Sequence, residues 1–178
     1  MKINNHWFNG LAKVQSPNFD ERPIEEDISL IVVHCISLPP DRFGGDYIDQ
    51  LFCNQLNPEE HCYFKEIYQL KVSAHLLIKR CGEVIQYVPF NKRAWHAGES
   101  NYKGRSRCND FSIGIELEGT ETTEYTDEQY KQLVSVIKSL LSHYPKLSAE
   151  YLVGHCDIAP GRKTDPGESF DWSRLELA

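Results

Sequence analysis

The chain has 178 residues, enough for one domain with a buried core, and its 40% hydrophobic and 25% charged residues are those of a globular fold in water. A net charge of -7 excludes the basic face of a general nucleic-acid binder, and no apolar run approaches the roughly 20 residues that span a bilayer. The opening MKINNHWFNGLAKV lacks the apolar core of a secretory signal, so a cytoplasmic location with no membrane partner is expected.

In chain order, LIVVH (30–34) is a continuous apolar, β-branched run, expected of a strand buried on both faces and ended by CISLPP. Residues 39–64 form a loop-rich insert with one short helix over 46–55, long enough to wall a cleft. VSAHLLI (72–78) and EVIQYV (83–88) flank Arg80-Cys81-Gly82 and predict a β-hairpin. In DFSIGIEL (110–117), alternation puts Ile113, Ile115 and Leu117 on one strand face and Ser112, Gly114 and Glu116 on the other.

One strong helix follows, TDEQYKQLVSVIKSLLSHY, with a capping-box pattern at Thr126 and Gln129 and Pro145 at its end. Its stripe of Tyr130, Leu133, Ile137, Leu140 and Tyr144 must cover a partner surface, and the sheet is the partner available. YLVGH (151–155) predicts a last short strand ending at His155. The fold class is α/β: a single domain over 1–178 with a mixed central sheet of about five strands and a long helix packed across it.

Six cysteines (Cys35, Cys53, Cys62, Cys81, Cys108, Cys156) contain no CxxC pair and are expected to be free thiols. Two predicted strands end in histidine, and open α/β sheets gather ligands beyond strand ends, so His34 and His155 can meet there. A catalytic zinc takes three protein ligands and leaves a fourth position to water. Asp157 and Asp165 compete for the third ligand, with Cys156 a further candidate that points away from His155 if the strand persists. Pro166 presses Asp165 toward an extended conformation, in which Lys163 projects to the same side.

Glu116 reads either as a solvated carboxylate, repeated by Glu118, or as a general base above the space left by Ser112 and Gly114. His6, His61, His75, His96 and His143 read as structural. A cysteine hydrolase built on Cys156 and His155 is disfavoured, since neighbours on an extended chain project to opposite faces.

The segments VVHCIS, SAHLLI, AWHAG, DFSIGIELEG and GHCDIAPGRKTDPG, in this order and spacing, resemble the zinc N-acetylmuramoyl-L-alanine amidases, which share their fold with peptidoglycan-recognition proteins. The resemblance runs over residues 14–173, and LPPDRFGG, RCNDFSIGIELEG and FDW are similar to the cytosolic 1,6-anhydro-muropeptide amidases within that family. The resemblance implies one Zn2+ per chain on His34, His155 and Asp165, and a catalytic pair of Glu116 and Lys163. It implies a muropeptide cleft lined by Arg107, Ala94, Trp95, Lys71 and Cys35.

Two of those positions depart from the family pattern. Lys71 stands where relatives carry arginine, keeping the charge but losing bidentate geometry. Cys35 replaces a frequent asparagine, and a thiol lacks the amide's paired donor and acceptor. The implied reaction is hydrolysis of the bond between the lactyl group of 1,6-anhydro-N-acetylmuramic acid and L-alanine, in cell-wall recycling. The rival function is a muropeptide-binding module without catalysis, whose members have usually lost a metal ligand; none is missing here.

Overall fold

The computed structural model describes residues 1–177. Six strands form the central sheet: β1 (Ala12–Lys13), β2 (Leu30–Ile36), β3 (Leu76–Ile78), β4 (Val84–Gln86), β5 (Ser112–Glu118) and β6 (Leu152–Gly154). They lie in the order β6–β2–β5–β3–β4–β1. The four strands from β6 to β3 are parallel, β4 is antiparallel to β3, and β1 is parallel to β4. The sheet is mixed as expected, with one strand more than the sequence suggests. The added strand, β1, is two residues long and carries no periodicity to read.

The long strands β2 and β5 pair in register from Leu30 opposite Ser112 to Ile36 opposite Glu118. That pairing carries β2 two residues past His34, so the histidine sits inside the strand rather than at its end. The expected hairpin is present as β3 and β4, joined through Gly82, whose φ of +84° suits only glycine well.

Alternation along β2 and β5 gives the sheet two unlike faces. Ile31, Val33, Ile113, Ile115 and Leu117 belong to the core cluster covered by the long helix α3 (Asp127–His143). Leu133, Val136, Ile137 and Leu140 of that helix are fully buried in the same cluster. Burying each such side chain contributes about 1.5–3 kcal/mol. The capping box is formed: Thr126 Oγ1 accepts from Gln129 N, while Thr126 N donates to Gln129 Oε1. Asp127 and Glu128 in the first turn and His143 in the last complement the helix dipole.

The other face is divided. Leu30, Val32 and Val153 pack with Ala97, Cys108, Phe111 and Ile158 on one side. Leu77, Ile85 and Tyr87 pack on the other side under the insert, whose two short helices α1 (Tyr47–Phe52) and α2 (Phe64–Ile67) bury Ile48, Leu51, Phe52 and Phe64. His34 and Glu116 stand between these clusters, where the polar residues of β2 and β5 interrupt the apolar rows.

Candidate metal centre and active-site cavity

His34 and Glu116 are register partners on adjacent parallel strands, so their side chains leave the sheet side by side on one face. His155 arrives differently from the expected strand end: it is the first residue of a single-turn helix, α4 (His155–Ile158), that follows β6 directly. Asp157 closes that turn by accepting from Gly154 N at 2.7 Å, which commits its carboxylate to the backbone. Because the chain turns here, the strand-based argument about Cys156 does not apply; its thiol is half-buried and its N–H donates to Asp165 O at 3.0 Å. The segment from Ala159 onward then folds back and delivers Asp165 beside the two histidines.

The three side chains converge closely. His34 Nδ1 lies 3.0 Å from His155 Nδ1 and 3.1 Å from Asp165 Oδ2, and His155 Nδ1 is 3.1 Å from the same carboxylate oxygen. His155 Nε2 is 3.1 Å from the Ala97 carbonyl, which can only accept, so the ring proton is at Nε2 and the lone pair at Nδ1. That lone pair faces a carboxylate, an arrangement that calls for a shared cation. The edges of this triangle are close to the separation of about 3.3 Å between ligands placed tetrahedrally at about 2.0–2.1 Å from an ion. Among the described residues, His34, His155 and Asp165 are the group of this type able to hold a metal ion.

Burial governs the electrostatics. It pushes His34 down to about 4, with the Asp165 carboxylate opposing and the His155 ring assisting. Burial also opposes ionisation of Asp165, but its close contacts with the His155 and His34 rings outweigh it and hold the carboxyl below its ordinary range. Glu116 is only 9% exposed and its Oε2 has no hydrogen-bond partner. Desolvation, then repulsion from Asp165, raises it well above the ordinary carboxylate range, with Lys163 pulling the other way. The solvated reading of this residue is thereby replaced by a buried carboxylate with one free oxygen. Glu118 is not solvated either: it is 3% exposed and accepts from Gly44 N and Arg80 N, tying the insert to the sheet.

A cavity of about 480 Å3 opens over these groups, with His34, Glu116, His155, Asp165 and the exposed Lys163 all in its lining. Cys35 and Trp95 also line it, together with Tyr63 from the insert, which the sequence reading did not single out. Burial pushes the Cys35 thiol up to about 12, so it is a neutral group there. The other expected cleft residues are placed less directly. Ala94 is fully buried beside Trp95. Lys71 is exposed between Leu70 and Val72, both of which line the cavity. Arg107, paired with Asp110 at 3.3 Å, lines a neighbouring, larger cavity of about 640 Å3 that shares Arg162 with this one. The six cysteines are free.

The space above Ser112 and Gly114 is filled rather than open. The His96 ring lies there, 2.9 Å from His34 and 3.1 Å from Ser112, and a Cβ on Gly114 would fall 2.4 Å from His96 Cγ. Glycine is required at that point by the ring above it.

The chain and its fold are similar to known proteins. The profile of the N-acetylmuramoyl-L-alanine amidase family matches residues 24–168. The chain is 57% identical over 177 residues to 1,6-anhydro-N-acetylmuramyl-L-alanine amidase AmpD of Escherichia coli, covering 99% of this chain and 96% of that one. A crystal structure of a selenomethionine derivative of AmpD superposes with a TM-score of 0.95 at 58% identity, covering 98% of this chain and 97% of that one. The amidase AmiD of E. coli, solved with the substrate anhydro-N-acetylmuramic acid-L-Ala-D-γ-Glu-L-Lys, superposes at 0.62 with 28% identity, covering 84% of this chain and 56% of that one.

Proposed function

The chain belongs to the N-acetylmuramoyl-L-alanine amidase family, and on that premise we propose how its own residues carry out the reaction. It hydrolyses the amide between the lactyl group of 1,6-anhydro-N-acetylmuramic acid and L-alanine in muropeptides, in peptidoglycan recycling. The observation that carries the residue assignment is the closed triangle of His34, His155 and Asp165 beside a buried carboxylate whose one oxygen has no partner.

His34, His155 and Asp165 would hold one Zn2+. Zinc held there would supply Lewis acidity, making water a nucleophile near neutral pH and polarising the scissile carbonyl. Glu116 takes the proton of the attacking water on its free oxygen and passes it to the L-alanine nitrogen as the carbon–nitrogen bond breaks. Its burial suits this exchange, because a raised carboxyl holds the proton between the two steps. Lys163, at the cavity wall, stabilises the negative charge that develops on the carbonyl oxygen, a role worth about 3–4 kcal/mol per donor.

Cys35 and Trp95 bear on the substrate inside the cavity, with Ala94 supporting Trp95. Lys71 and Arg107 at its margins suit the carboxylates of a peptide and the polar groups of a sugar. Free thiols fit a reducing compartment, which supports a cytoplasmic site of action. No helix among the described residues is long and apolar enough to cross a membrane.

Metal analysis of the purified protein tests the assignment. About one zinc per chain is expected, with loss of peptide release from 1,6-anhydro-muropeptide on chelation and recovery on adding zinc back. Undiminished turnover in metal-free protein would overturn it.

A further inference from the structure

We propose that His96 is a positioning residue for the metal centre, fixing His34 as an Nδ1 ligand through a directed hydrogen-bond chain that ends at Ser112. The inference rests on the metal reading above and concerns residues that reading does not use. His34 has two ring nitrogens and one task for each. Nδ1 faces His155 and Asp165 and must present a lone pair to a cation. The proton then resides on Nε2, where the partner is His96 Nδ1 at 2.9 Å, so His34 donates and His96 accepts. Having accepted at Nδ1, neutral His96 carries its proton on Nε2 and donates it to Ser112 Oγ at 3.1 Å. Every link points away from the metal, which places electron density on His34 Nδ1.

The fold holds this chain in place from several sides. The His34 and His96 rings cross at 82° with centroids 5.0 Å apart, so the nitrogen of one addresses the edge of the other. The backbone N–H groups of His96 and Ala97 both donate to Asn109 Oδ1, at 3.2 and 2.8 Å, fixing the turn that carries the ring. Gly114 supplies the room beneath it, and Ser112 is fully buried at the start of β5. The same turn also serves the second histidine ligand, because the Ala97 carbonyl accepts from His155 Nε2. One short segment thus sets the ring proton on both metal histidines.

The test is the zinc dissociation constant, measured by competition with a chromophoric chelator, on variants chosen to separate packing from hydrogen bonding. His96→Phe keeps a ring and loses the acceptor; binding should weaken about 10- to 100-fold, the usual cost of losing such an outer partner. His96→Asn, which places an amide oxygen near the position of Nδ1, should recover most of that loss. Equal zinc affinity in wild type and His96→Phe, or no recovery in His96→Asn, would overturn the role. Should the variants fail to fold, nitrogen-15 spectra of the zinc-loaded wild type read the tautomers directly: a proton on Nε2 of both His34 and His96 is expected, and one on His96 Nδ1 overturns the chain. Wild type that binds no zinc would instead defeat the metal reading itself.

Discussion

At the scale of single residues, roles are set by what each polar atom has left to do. Asp157 and Asp165 are chemically alike and eight positions apart, yet only Asp165 has a free carboxylate oxygen aimed at both histidines. Asp157 is occupied by Gly154 N. Asp165→Ala is therefore expected to abolish stoichiometric zinc binding, whereas Asp157→Ala should retain zinc and lose only about 0.5–2 kcal/mol of stability, the cost of a lost cap. The reverse ranking in metal content would reassign the third ligand. Glu116 makes no contact within the triangle, so Glu116→Gln should keep its zinc and lose roughly 100- to 10,000-fold in turnover. Loss of zinc in that variant would mean that Glu116 is a ligand. None of this was legible from residue type alone. Asp157, Asp165 and Cys156 stood as open alternatives on spacing, and only a family pattern ranked them.

At the scale of elements, legibility followed length. The 17 residues of α3 carry several turns of apolar period and a reciprocal cap, and the expected helix and its cap both form. The pattern of β5 sorted its two faces correctly, with the odd-numbered isoleucines under the helix. Two-residue β1 and four-residue α4 are too short to show a period, which is why a strand was missed and His155 was expected at a strand end. The contacts of His96 are not legible in the sequence, because its partners lie 62 and 16 residues away; the small residues Ser112 and Gly114 are the visible trace of its ring. Removing the Thr126 hydroxyl by Thr126→Ala should cost about 1 kcal/mol in denaturant unfolding. Gly114→Ala should cost more, about 1–3 kcal/mol, since its methyl meets the His96 ring and overpacks a closed site. An unchanged unfolding midpoint in Gly114→Ala would show that the ring is free to move aside.

At the scale of the whole molecule, stability and chemistry share one buried polar layer between sheet and loops. Arg22, 5% exposed, spends its guanidinium on the carbonyls of Phe90, Asn109, Asp110 and Ser112, pinning the start of β5. Beside it His75 is buried, accepting from Gly114 N at Nδ1 and donating from Nε2 to the Lys92 carbonyl. Burial, aided by the Arg22 charge, pushes His75 down to about 3. The unfolded chain takes up that proton near 6.5, so the folded state is favoured above this value and loses stability as pH falls from about 6.5 toward about 3. Urea unfolding of zinc-loaded protein should accordingly lose more stability between pH 7 and pH 5 in wild type than in His75→Asn; equal losses would place the acid sensitivity elsewhere.

The central claim is that this constellation performs hydrolysis and does not merely bind muropeptide. Mass spectrometry of the products formed by zinc-loaded wild-type protein from a 1,6-anhydro-N-acetylmuramyl peptide tests it most directly. The account predicts free 1,6-anhydro-N-acetylmuramic acid together with a peptide bearing a free L-alanine amino terminus. Substrate that is bound but recovered intact would contradict it.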